Sequence, residues 1–338
     1  MEAGDWRKYM WHCPKCGKQQ PFEFSGFHWE KTESGSPKID IDERGRVTHH
    51  VYDPATGFQT RTIEDVNTDS QAELDPPAGF EGNADGLHRV TDHEYDSAGR
   101  VVATFGPEHT AVVDGQPIAV RRATWTRYHE GATWRETLTA QGYQRVDDET
   151  EHVVGPVAIE REQMRVEGRR TDSVQVAFSG TRAEFDTLGL AGVLRDRYAR
   201  WTSSLADPFG RALWSRVYHD VPEQGDGVIN VHYAQTGYGY DAVGRRNKTT
   251  APGGTITCTV FDKLGRQRKT YVGTDDSGAT DLDPTADGAN TMKIVAEQEY
   301  DGGSDGGSRL ITTVWQYVDG DDRDANTRRT DYRYDWRD

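Results

Sequence analysis

Tyr240-Asp241-Ala242-Val243-Gly244-Arg245 and Phe261-Asp262-Lys263-Leu264-Gly265-Arg266 are two copies of one phrase: an aromatic, Asp, two variable residues, Gly and Arg. Their aspartates stand 21 residues apart (262 − 241). Asp at the start of a turn can accept a hydrogen bond from the backbone two residues on, and Gly at the fourth position tolerates positive φ. A type I turn closed by a left-handed residue is a common short hairpin connection. Two strands of about 5–8 residues with short turns consume roughly that repeat length. The phrase therefore predicts a β-hairpin, with its aromatic and its Arg near the ends of the paired strands.

Working outward, the phrase recurs as Tyr95-Asp96-Ser97-Ala98-Gly99-Arg100, as Ile41-Asp42-Glu43-Arg44-Gly45-Arg46 and as Ala206-Asp207-Pro208-Phe209-Gly210-Arg211. Looser variants are Tyr52-Asp53-Pro54-Ala55-Thr56-Gly57, Phe185-Asp186-Thr187-Leu188-Gly189 and Tyr300-Asp301-Gly302-Gly303. Asp186 and Asp207 are again 21 residues apart (207 − 186), while Asp262 and Asp301 are 39 apart (301 − 262), which implies loop insertions. Flanking segments such as Thr255–Phe261 and Leu310–Tyr317 are β-branched and alternating, as strands are. Leu188 to Leu205 is the one segment whose spacing admits a helix, through Leu190, Val193, Leu194, Tyr198 and Trp201. Residues 1–40 read as a separate leader, residues 41–338 as a repeat region with an irregular insert at about 108–200, and residues 273–290 as a long loop. The fold class expected is all-β, with tandem hairpins forming a curved sheet.

Composition sets limits. Only 34% of residues are hydrophobic and the mean hydropathy is −0.84, too little apolar material for a thick spherical core of this length. A thin sheet needs less, and 15 Tyr, 9 Trp and 10 Phe are too many for a disordered chain. The formal charge of −16 argues against a nucleic-acid partner, whose phosphates need a basic face. No run of 18 apolar residues could span a membrane, and Met1-Glu2-Ala3-Gly4-Asp5 opens no signal peptide. The charge suits an extracellular or surface protein as well as a cytosolic one.

These phrases resemble the YD repeats of the rearrangement-hotspot (RHS) family, whose relatives include teneurins and the shell-forming subunits of insecticidal toxin complexes. The resemblance covers roughly residues 41–338 and is clearest at 95–106, 240–254 and 261–273. It implies a β-ribbon that spirals into a hollow shell, in a secreted or cell-surface protein. Bacterial members often enclose a C-terminal toxin, released by self-cleavage around an Asp-Pro-x-Gly-Leu phrase. Here Asp207-Pro208-Phe209-Gly210 is followed by Arg211, and Phe185–Leu190 lacks the proline. Neither an autoprotease nor a toxin is therefore expected within these residues. The last phrase, Tyr334-Asp335-Trp336-Arg337-Asp338, breaks off, so the chain is expected to be a fragment of a longer repeat array, with neighbouring repeats as its partners.

Candidate chemistry is sparse. Cys13 and Cys16, in His12-Cys13-Pro14-Lys15-Cys16-Gly17, are the candidate metal ligands, since thiolates two residues apart can share a zinc ion. A closed site needs four ligands, which His12, His28, His49 or His50 would have to complete; the third cysteine, Cys258, is remote in sequence. A dithiol without metal fits that ligand count better. Asp281-Leu282-Asp283-Pro284-Thr285-Ala286-Asp287-Gly288 suggests a calcium loop but fails the EF-hand pattern, with Thr285 and Ala286 at its acidic and glycine positions. Gly302-Gly303-Ser304-Asp305-Gly306 matches a hydrolase elbow by letters only, because a strand and not a helix follows. Asp147, Asp148, Glu149, Glu151 and His152 have no catalytic spacing and read as a charged loop. Asn247-Lys248-Thr249 is a glycosylation sequon. The expected function is a non-catalytic scaffold segment without cofactor. A surface module for glycans or proteins is the alternative, and an enzyme built on the 108–200 insert is the second.

Overall fold

The computed structural model describes residues 10–12, 19–21, 39–42, 46–67, 85–285, 290–301, 309–316 and 327–334. They are nearly all antiparallel β: the first two strands pair with each other alone, and from the third to the last, strands adjacent in sequence are paired. A short hairpin, β1 (Met10–His12) and β2 (Gln19–Pro21), comes first. A meander follows: β3 (Ile39–Ile41), β4 (Val47–Tyr52), β5 (Gln59–Glu64), β6 (Arg89–Tyr95), β7 (Val101–Val113) and β8 (Gln116–Glu130). Next come β9 (Trp134–Arg145), β10 (Glu151–Arg165) and β11 (Gly168–Thr181), then one helical turn, α1 (Arg182–Asp186). Two 3-10 turns, Leu190–Gly192 and Arg195–Arg197, lead into β12 (Tyr198–Ala206) and β13 (Ala212–Tyr218). The repeat hairpins continue as β14 (Tyr233–Tyr240), β15 (Arg246–Thr250), β16 (Ile256–Phe261), β17 (Gln267–Gly273), β18 (Lys293–Tyr300), β19 (Leu310–Gln316) and β20 (Thr327–Asp331).

The chain divides into two compact units, one of Met1–Arg127, Thr139–Gly155 and Ser179–Asp186, the other of Tyr128–Leu138, Pro156–Phe178 and Thr187–Asp338. Each has its own core, made by period-2 alternation. In the first, Ala103 opposes Trp125 and Phe105 opposes Ala123, with Phe105 meeting the Trp125 ring edge-on at 6.4 Å. In the second, Val157 and Ile159 of β10 and Val174 and Val176 of β11 are buried at alternate positions, and further along Ile256, Cys258, Val260, Tyr271, Met292 and Ile294 form a cluster.

The repeated phrase folds as its chemistry predicts. Asp262 N–H donates to the Arg266 carbonyl at 2.9 Å, and Gly265 N–H returns to the Asp262 carbonyl at 3.0 Å. The Asp262 carboxylate accepts from the N–H groups of Leu264 and Arg266, both at 2.9 Å, and from Arg266 Nε at 2.6 Å. Asp96, Asp207 and Asp241 make the same set of bonds. Asp301 keeps part of the set, accepting from Arg309 N–H at 2.8 Å while its own N–H donates to the Arg309 carbonyl at 2.9 Å. At Asp53 the turn is one residue longer and closes on Phe58.

Successive turns are bonded to one another. The Tyr240 hydroxyl donates to the carbonyl of Ala212, Tyr300 to that of Gln267, and Tyr334 to that of Leu310, at 2.8–3.0 Å. Each acceptor is the residue just after the preceding turn's Arg. That Arg lies over the same aromatic ring: Arg211 over Tyr240, Arg266 over Tyr300 and Arg309 over Tyr334, at 4.9, 4.3 and 5.4 Å. Arg245 covers Phe261 in the same way at 4.8 Å. In the first unit Tyr95 donates to the Gln59 carbonyl, and Phe58 takes the place of Arg, its ring 5.0 Å from that of Tyr95.

Three expectations are corrected. Phe185-Asp186 is not a hairpin turn: both lie in α1, where Phe185 is fully buried and Asp186 pairs with Arg127 at 2.7 Å. The 21-residue step from Asp186 to Asp207 is thus a coincidence. Residues 108–200 are not irregular, since β7 to β11 include the longest strands among the described residues. Leu188–Leu205 is no helix; the 3-10 turns pass into β12, where Trp201, Ser203 and Leu205 are buried at alternate positions.

Candidate functional site

Strands β10 and β11 change character along their length within the second unit. Alternate residues share a face. On one face of β10, Val157 and Ile159 give way to Arg161, Gln163 and Arg165; on β11, Val176 and Val174 give way to Asp172 and Arg170. A β-bulge in β12 adds to this face. Trp201 opposes Val174 and Arg200 opposes Gln175, but Val176 is matched by Tyr198, so Ala199 is the extra residue. The bulge turns Tyr198 to the side of Trp201. With the 3-10 turns and the loop bearing Glu223 and Asp226, these residues enclose a cavity of about 490 Å³.

Its floor is a buried ion network. The Arg170 side chain is 3% exposed. It donates to Asp172 at 2.9 Å, to both Asp226 oxygens at 2.7 and 2.8 Å, and to Ser203 Oγ at 3.1 Å. Burial works against the Arg170 charge, but the Asp172 and Asp226 carboxylates outweigh it and raise its pKa above the ordinary value. Burial also opposes the Asp226 charge, and Arg170, Arg216 and Arg165 overcome it, so its carboxyl titrates below the usual range. Glu136, 3% exposed, accepts from the Leu190 N–H at 3.0 Å and faces Arg161 at 3.7 Å. It thereby holds the first 3-10 turn down over the cavity.

Trp201 is locked. Its Nε1 donates to Asp172 at 3.0 Å, Tyr218 stacks on its ring at 3.7 Å and 3°, and Arg195 lies over it at 4.7 Å. This ring has no face left on which a sugar could stack. Tyr198 lines the cavity, and burial raises its pKa against the opposing pull of Arg195.

The residues singled out in the sequence are placed elsewhere. Cys13, Cys16 and His28 lie outside the described residues, as do Gly302–Gly306 and Ala286–Gly288. His12 lies in β1. His50 bonds Asp40 at 3.0 Å, and no group of three His, Cys, Asp or Glu able to hold a metal occurs among the described residues. Cys258 is a buried free thiol, its pKa raised by burial. Asp281 accepts from the Ala242 N–H and from Asn247 Nδ2 at 3.1 and 2.7 Å, which commits the sequon amide, while Asp283 caps Thr285. Asp147 pairs with Arg145, Glu151 accepts from Trp125 Nε1, and His152 stacks on Tyr143. Sequence reading missed Arg170, Asp172, Asp226 and Arg195. The available signal was Arg170-x-Asp172-x-Val174-x-Val176, charges at the inward positions of an otherwise β-branched strand.

Residues 1–50 match the family of the phage terminase large subunit gpA, ATPase domain. No curated protein matches the chain. Solved structures of toxin-complex chains do. The Photorhabdus luminescens Tc holotoxin pore aligns at 13% identity over 86% of this chain and 16% of that one, with a TM-score of 0.22. The TcdB2–TccC3–Cdc42 and TcdB2–TccC3–TEV crystal structures align at 14 and 15% identity over 86 and 87% of this chain, each with a TM-score of 0.21. The chain spans 18% of the length of those two chains. Among the described residues no helix is long and apolar enough to cross a membrane.

Proposed function

We propose that the chain is a non-catalytic scaffold segment of an RHS/YD-repeat shell, within a longer repeat array of a secreted or cell-surface, toxin-related protein. The observation that carries this reading is the bonding of turn to turn. At Tyr240, Tyr300 and Tyr334 a hairpin is secured to the preceding turn through one Arg–aromatic contact and one Tyr–carbonyl bond, and at Phe261 through the Arg contact alone. Structures bonded this way are quasi-one-dimensional, with stability close to a sum of repeat and nearest-neighbour terms. Cys13 and Cys16 are proposed as a dithiol without metal, with a zinc pair as the alternative. The reading as a binding module is favoured by one feature, the cavity above Arg170.

Hydrogen exchange of Tyr300→Phe tests the scaffold. The substitution deletes the hydroxyl that holds Gln267 and leaves the ring under Arg266. A net loss of about 0.5–1.5 kcal/mol is expected, felt in β17 and β18 and fading towards β12 and β13. A uniform fall in protection across β12 to β20 would sink the nearest-neighbour account.

A further inference from the structure

Two arginines in the cavity carry charge that, among the described residues, no carboxylate in ion-pair range answers. Arg195 is fixed by the carbonyls of Gly225 and Pro222 at 2.8 and 3.4 Å and by its stack on Trp201. Carbonyl oxygens orient a guanidinium without cancelling its charge. Arg165 donates only to Gln163 Oε1, at 3.5 Å. The field of Asp226 reaches Arg165, but that carboxylate already serves Arg170 and Arg216. Glu136 answers Arg161 from below. The opposing charge left on the lining is Glu223, which is solvent-exposed. In a chain of charge −16, the lining sets Arg161, Arg165, Arg170 and Arg195 against Asp172, Glu223 and Asp226, so the cavity walls lack the acidic excess of the chain as a whole.

We infer that this cavity binds a small organic oxyanion, held by Arg165 and Arg195, with the Tyr198 hydroxyl and the Gln163 amide as further donors. Charge-assisted bonds from a guanidinium fork suit carboxylate and phosphate alike. The volume, about 490 Å³, exceeds what a bare inorganic ion fills and lies in the range of small-molecule sites. Leu190, Ala191, Val193 and Leu194 supply an apolar wall for the carbon skeleton of such a ligand. Arg195 is already oriented before binding, so little side-chain entropy is lost. The inference stands apart from the scaffold reading, because the cavity lies inside one unit and needs no neighbouring repeat.

Calorimetric titration of the full chain with citrate and with inorganic phosphate, at constant ionic strength, tests it. Saturable binding of either probe is expected, and the probe that binds more tightly identifies the preferred group. Arg195→Gln and Arg165→Gln should each weaken it about tenfold or more, the worth of a hydrogen bond to a charged group. Arg200→Gln removes the same charge from the opposite, exposed face of β12 and should leave binding unchanged. Arg165 is exposed and outside the buried network, so its variant keeps the fold and the urea midpoint verifies this. No saturable binding of either probe, or an equal loss in Arg200→Gln, overturns the inference.

Discussion

Asp262 and Gly265 show how much of the fold sits in single residues. The carboxylate closes the turn on itself, and the glycine supplies φ of 82°. A Cβ at Gly265 would meet only Arg245 Nη1, at 3.7 Å, so the cost of substitution is backbone strain and not collision. Gly265→Val should therefore cost about 1–3 kcal/mol, and Gly265→Asn less, because Asn enters that region more readily. Lys263→Val, at a turn position that accepts most residues, is the control. Urea unfolding of the three decides it, and equal losses for the two valine variants would remove the turn-closing role. The phrase was legible because every partner in the turn lies within five residues. Phe185-Asp186-Thr187-Leu188-Gly189 misled because it shares the letters but has Leu190 where the Arg belongs. Without that Arg, Asp186 binds Arg127 and Arg182 instead of its own backbone.

At the scale of elements, α1 was readable and went unread. Thr181-Arg182-Ala183-Glu184 is a capping box: the Thr181 N–H donates to Glu184 Oε2 at 2.8 Å and the Glu184 N–H to Thr181 Oγ1 at 3.3 Å. Five residues cannot show a helical period, so its cap was the only signal. The strands between 108 and 181 were hidden for a different reason. Their inward positions include Glu136, Arg161, Arg170 and Asp172; Glu136 meets Arg161 across strands, a pairing with no signature along the sequence, and Arg170 meets Asp172 within its own strand. The same charges make the cavity, so the candidate site and the misread insert are one feature. Phe185 is the test of α1 as a structural plug. Being fully buried, Phe185→Ala should cost about 3–5 kcal/mol, whereas Leu194→Ala, 65% exposed, should stay within about 0.5 kcal/mol. Similar urea midpoints for the two would mean that the helical turn merely decorates the sheet.

Across the whole molecule two electrostatic effects oppose each other as pH falls. The chain carries −16 at pH 7 with a sequence pI of about 5.1, so acidification first relieves self-repulsion. Below that range the repeat turns take over. Burial opposes the charges of Asp207, Asp241 and Asp262, but the backbone N–H and guanidinium of the following Arg outweigh it, and all three titrate below the ordinary 3.8. At Asp96 the Arg100 N–H is the leading cause of the same shift. A depressed folded-state pKa means that the unfolded chain takes up protons first. The stability tied to these carboxylates is therefore complete above about pH 4 and lost as pH falls through the lower folded values. The urea midpoint should hold or rise from pH 7 to about 5 and fall below about 4. Asp262→Asn separates the two effects, since it removes one capping charge and changes the net charge by only one. Its midpoint should lie below that of the unsubstituted chain at pH 7, and the gap should narrow as pH drops below about 4, where the unfolded chain takes up the Asp262 proton first and the folded turn follows at its lower pKa. A gap of constant size from pH 7 to 3 would show that the charge of Asp262 is not what stabilises the turn. The acid limb would then belong to other groups, such as Asp92 between Arg61 and Arg121.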